Sequence, residues 1–169
     1  MNIYPFLDWL ELTPLAEFIQ ISAWAFPAIE VVHVLSIVIV YGVIAVVDLR
    51  LLGVAGAARR YADLARDSLH WVWAAFVVAV ISGGLMFISQ ANAYFSNPWF
   101  ITKMVFILLA GVNMLIMEFV VSRDRENWDT TPGGIPLMAR VAGLLSLIFW
   151  TVVVVCGRWI GFTMFALPF

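Results

Sequence analysis

An all-α fold, a transmembrane four-helix bundle with an N-terminal interfacial helix, is what this sequence predicts, on three observations. Of its 169 residues, 64% are hydrophobic and 12% charged, far from the roughly half apolar, quarter charged make-up of a soluble domain. Four apolar runs each reach the about 20 residues that a helix needs to cross a bilayer core of ~30 Å. The stretches between them are short and polar, so residues 1–169 read as a single integral membrane domain.

Before the first run, Trp9, Leu10, Leu15, Phe18 and Ile19 alternate with Asp8, Glu11 and Glu17, the pattern of a helix lying in the membrane surface. Thr13 followed by Pro14 reads as its cap and first turn. This segment, residues 1–22, contains no Lys or Arg, and none occurs before Arg50. A cleavable signal peptide starts with a positive region, so the first span, Trp24 to Val47, reads as a retained anchor and Met1 to Ser22 as a segment carried across. The connector Asp48 to Ser68 leads to a second span, Leu69 to Ile88, and a short turn, Ser89 to Pro98, to a third, Trp99 to Val121. The connector Ser122 to Pro136 precedes the fourth span, Leu137 to Gly161. Cys156 is the one cysteine; it excludes an internal disulfide and reads as packing within the fourth span.

Lys and Arg in short loops stay on the cytoplasmic side of a membrane. Arg50, Arg59, Arg60 and Arg66 follow the first span, Arg123 and Arg125 follow the third, and Arg140 opens the fourth; only Lys103 and Arg158 belong to the opposite side. Both termini are therefore expected outside the cytoplasm, with the lipid bilayer as the main partner. A net charge of -2 points to no nucleic acid.

Successive residues of an α-helix are ~100° apart, so Glu30, His33, Ile37, Tyr41, Ile44 and Asp48 share one stripe of the first span. Facing lipid, such a stripe is very costly, so it is expected to face the bundle. The fourth span repeats the pattern with Arg140, Leu147, Thr151 and Arg158, and the third aligns Lys103, Ala110, Met114, Met117 and Glu118. In the second, Ala75, Ala79 and Gly83 form a seam of small residues that lets backbones approach. Counting the rise per residue puts Glu30 and His33 about 7–11 Å outward of the midplane, Lys103 about 10 Å and Arg158 about 14 Å. Ionisable groups of three spans thus meet in one leaflet.

The plainest account of this outer cluster is a salt bridge from Glu30 to Arg158 or Lys103. A second account makes His33 the axial ligand of a haem iron, tuned by Glu30, with Lys103 and Arg158 holding the propionates. His70 lies roughly 20 Å deeper than His33, beside Trp71 and Trp73. It reads as mainly structural; it is too far away to take the opposite face of the same iron, and a second, separate haem at His70 is the alternative. Near the cytoplasmic boundary, Asp48 or Glu118 is expected to pair with Arg140. Met114 and Met117 leave a copper path open. No zinc spacing, nucleophile–base constellation or phosphate loop is present.

The stretches "FPAIEVVHVLSIVIVYGVIAVVDLRLLG", "NPWFITKMVFILLAGVN" and "CGRWIGF", with "LTPLAEFIQIS" ahead of them, resemble an uncharacterised family of bacterial four-helix inner-membrane proteins, a domain of unknown function. The layout, a histidine in the first span and a lysine early in the third, is also similar to the CopD-like copper-resistance proteins and the HemJ-type membrane protoporphyrinogen oxidases. In the latter, those two residues matter and haem b is bound, which implies haem b here with His33 and Lys103 in those roles. The reading that results is an inner-membrane protein binding haem b or another porphyrin, with a redox, electron-transfer role. A non-enzymatic accessory subunit and a copper or small-solute transporter are the alternatives. A membrane redox partner, a larger complex or an oligomer is compatible with each.

Overall fold

The structure, a computed structural model, describes residues 3–55, 60–129 and 134–164, apart from the side chains of residues 123, 124 and 127. Arg59 and the side chain of Arg123, both counted above toward orientation, lie outside the described residues. Two short helices, α1 (Tyr4–Glu11) and α2 (Pro14–Ile21), lead into the long helix α3 (Ala25–Leu51). There follow α4 (Tyr61–Ser89), the short α5 (Ala91–Ser96), α6 (Pro98–Ile116) and α7 (Leu137–Thr163). Past α6 the chain continues as a π-helical turn, Met117–Val121, and a 3-10 stretch, Ser122–Asn127. The described residues hold no strand, and the four long helices have the length and apolar composition to cross a membrane.

The amino-terminal segment is two helices where one was expected. The break falls at Leu12 and Thr13: the Thr13 hydroxyl accepts from the Ala16 amide (3.4 Å) and Pro14 opens α2. Side chains then tie both helices to the α4–α5 turn. Gln20 donates to the Ser89 carbonyl (2.9 Å), the Asn92 amide donates to Glu11 (2.8 Å), and the Asn92 side chain donates to Asp8 (2.9 Å).

The second long helix begins at Tyr61 rather than Leu69. Hydropathy sees only the apolar part of α4, whereas its first two turns are held by polar chemistry. The Asp129 carboxylate accepts from the Tyr61 amide (2.7 Å), satisfying one of the free N–H groups at a helix start, and the Tyr61 ring stacks on buried Trp128 (5.1 Å). At its other end α3 stops because Gly53 turns left-handed (φ 75°), while Val54 donates to Leu49 (3.0 Å) and Gly53 to Arg50 (3.1 Å). That double bond is a Schellman closure.

The long helices pack as an arc in the order α4, α3, α7, α6. Polar links cross each joint, the device that joins helices where lipid offers no hydrophobic contrast. His33 donates to the Ala79 carbonyl (3.0 Å) between α3 and α4. The hydroxyls of Tyr41 and Thr151 meet at 3.0 Å between α3 and α7. Asn113 donates to the Ala142 carbonyl (3.0 Å) between α6 and α7. Small residues bring the backbones together: Ala75, Ala79 and Gly83 on α4, and Ala139, Ala142 and Gly143 on α7. The core at mid-height is Val40, Ala75, Ala110, Trp150 and Val153. Outside the arc, Leu35, Val38, Ile81, Leu108, Val112 and Leu144 stay exposed. On a soluble protein such a belt is a liability; around four membrane spans it is the lipid face.

The ends of the arc, α4 and α6, have no comparable backbone contact. They meet through rings near α5, where Phe87 stacks on Phe100 (5.5 Å). One end of the bundle therefore carries α1, α2 and α5. The other, the basic end, carries Arg50, Arg60, Arg66, Arg125 and Arg140.

Candidate functional site

Toward the α5 end, His33 lies half-buried on the inner stripe of α3. Its Nδ1 is 3.0 Å from the Ala79 carbonyl and 3.1 Å from the Ser82 hydroxyl. A carbonyl oxygen only accepts, so Nδ1 carries the proton and Nε2 keeps its lone pair. The imidazole rests on Gly83: a Cβ there would stand 3.0 Å from Cε1 and 3.4 Å from Nδ1. The small-residue seam of α4 thus serves both helix approach and the seating of this ring.

Lys103, partly buried on α6, reaches over α7 at Gly157, where an added Cβ would be 3.7 Å from its Nζ. Its ammonium is within electrostatic reach of His33 and of the buried thiol Cys156. All four long helices therefore contribute at this level, with Lys103 within electrostatic reach of His33. The expected salt bridge is not formed: among the described residues no carboxylate pairs with Lys103 or with Arg158. Arg158 is exposed, with its guanidinium 4.8 Å from the centre of the Phe162 ring.

Glu30 is exposed at the end of the stripe and does not orient His33; Ala79 and Ser82 do that. The Glu30 charge is felt instead by Tyr94 on α5. Burial first, and the Glu30 carboxylate second, push the Tyr94 phenol up to about 12. His70 is not brought to this level. It is exposed, tilted against Trp71 (5.2 Å), and sits nine residues before Ala79 on α4, about 14 Å along the axis. Among the described residues no three His, Cys, Asp or Glu side chains converge on a metal position.

The largest departure from expectation is at the basic end. A cavity of about 460 Å³ opens between α4 and α6, walled by Phe76 and Trp150 and reached by Asp48, Tyr61 and Ser146. Asp48 is 6% exposed. Ser146 stands beside its carboxylate, and one oxygen, Oδ2, has no partner among the described residues. The expected pairing of Asp48 or Glu118 with Arg140 is not made. Arg50 pairs with Asp129, Arg125 with Glu118 (3.1 Å) and Arg66 with Glu126 (3.0 Å), while Arg140 is exposed. The signal for this site was present, since Asp48 shares the stripe of His33 and Ser146 precedes Trp150 by one helical turn. What could not be read was that α4 and α6 stand apart.

No curated protein and no solved structure matches the chain. A family model does, over residues 6–163, a stretch that takes in both levels of the bundle just described. The chain therefore belongs to that family, DUF6644, a family of unknown function.

Proposed function

We propose that this membrane protein binds a haem b, or a related anionic porphyrin, at the His33 level and passes electrons within the membrane. The observation that carries the reading is the hydrogen bond from His33 Nδ1 to the Ala79 carbonyl. Histidines that ligate iron commonly donate their other ring nitrogen to a carbonyl, which fixes the tautomer and leaves Nε2 for the metal. A side-chain cluster is not required, because a porphyrin brings its own four nitrogens. Lys103 supports the same reading: an ammonium among membrane helices without a carboxylate beside it is costly. A propionate would supply the missing charge, and Arg158, at the same end, would take the second. His70, on the far side of the span, plays no part in this assignment. With the basic end toward the cytoplasm, the porphyrin would lie in the outer leaflet of a bacterial inner membrane.

A second reading has an observation of its own. His33 already links α3 to α4 and packs on Gly83, which suffices for an architectural brace in an accessory subunit. The visible spectrum separates the two. Protein purified after expression with ample haem is expected to show a Soret band that is lost in His33→Ala and weakened in Lys103→Met. No Soret band, or a band indifferent to His33→Ala, refutes the haem reading and leaves the brace.

A further inference from the structure

The cavity at the basic end is independent of the His33 level. Its most telling feature is Asp48 Oδ2, a carboxylate oxygen inside four apolar helices, 94 parts in 100 of its residue being withdrawn from solvent (6% exposed), with no partner among the described residues. A buried charge or acceptor left unmatched is expensive. The cations that stand nearest the cavity mouth do not relieve it, for Arg125 is held by Glu118 and Arg66 by Glu126.

The walls point to what would. Trp73, Phe76 and Trp150 line the space, with Phe76 set edge-on to Trp73 (6.2 Å, 87°) and to Trp150 (6.5 Å, 90°). Aromatic faces beside a carboxylate are the surroundings that an organic ammonium prefers. The volume, about 460 Å³, lies in the range of small-molecule sites. The way in is lateral. Because α4 and α6 are the unjoined ends of the arc, Leu69, Trp73 and Leu115 on the cavity wall are exposed toward the lipid.

From these observations we infer that the cleft between α4 and α6 is a binding site for a lipophilic organic amine, entering from the bilayer. Its apolar body sits among Trp73, Phe76 and Trp150, and its ammonium donates to Asp48 Oδ2. Ser146 lines the same cavity beside Asp48.

The test is equilibrium dialysis of labelled 4-phenylbutylamine against the full-length protein in detergent micelles at pH 7, with empty micelles as the blank. Saturable binding of one amine per chain above the blank is expected. It should weaken at least tenfold in Asp48→Asn and be the same for protein expressed with and without added haem, which separates this site from the porphyrin reading. 4-Phenylbutan-1-ol, the uncharged analogue, should bind at least tenfold more weakly to the unaltered protein, a comparison that stands even if Asp48→Asn does not fold. Uptake no greater than in empty micelles overturns the inference. So does equal binding of amine and alcohol, equal binding by a folded Asp48→Asn, or a dimer whose second copy fills the cleft and excludes the amine.

Discussion

Gly83→Ala isolates the contact between α3 and α4 on which the His33 level is built. The added methyl would lie 3.0 Å from His33 Cε1 and 3.4 Å from Nδ1, inside the roughly 3.5–4.0 Å at which non-bonded carbons are best placed. The ring cannot retreat freely, because Nδ1 is held at 3.0 Å by the Ala79 carbonyl and at 3.1 Å by the Ser82 hydroxyl. Overpacking of this kind costs about 1–3 kcal/mol, while alanine gains about 1 kcal/mol over glycine within a helix, leaving a net loss of ~0–2 kcal/mol. In a His33→Ala background the obstructing ring is gone and only the gain remains, so the same substitution should stabilise by ~1 kcal/mol. The assay is unfolding in mixed detergent–dodecyl sulfate micelles, followed by tryptophan fluorescence, for the parent, both single variants and the double variant. A coupling of about 1–3 kcal/mol is expected, against the ~0.3–0.5 kcal/mol within which independent sites add. Additivity would show that the imidazole does not rest on Gly83, and the geometry at this level would have to be redrawn.

Asp129→Ala removes both the acceptor at the start of α4 and the partner of Arg50, and should cost ~1–3 kcal/mol in the same assay, with Asp129→Asn costing less because it still accepts from the Tyr61 amide. Tyr94 sets an alkaline limit. Its phenol titrates at about 12 when folded against 10.0 unperturbed, so its contribution is complete below pH 10. Between pH 10 and 12 the unfolded chain ionises first and stability falls, by up to ~3 kcal/mol. Tyr94→Phe should flatten that stretch of the stability–pH curve, and an unchanged curve would mean the phenol is not shielded by burial and Glu30.

Hydropathy and the ~100° advance per residue are local properties, so the four spans, the inward stripe from His33 to Asp48 and the small-residue seam of α4 were legible without coordinates. The similar depth of His33 and Lys103 was legible for the same reason, and the two stand within electrostatic reach of one another. The place of Glu30 was not, because it lies exposed at the end of the stripe, where its charge acts on Tyr94 of α5 rather than on His33. The true length of α4 was hidden as well, because its first turns are set by Asp129, far along the chain.

The sequence by itself determined that this is a four-span membrane protein and which faces of α3 and α4 turn inward, because transfer into hydrocarbon acts residue by residue. For α7 the expected stripe is overturned, since Arg140, Thr151 and Arg158 are exposed and Ala142, Trp150, Val153 and Cys156 are buried instead. Only the tertiary structure decided which helices touch, which acid each arginine takes, and that α4 and α6 leave a cleft into which Asp48 points. Several arginines and carboxylates share the basic end at similar depth, so composition permits many pairings. The choice among them, and the gap left over, follow from how the side-chain surfaces of four helices fit into an arc rather than a closed ring.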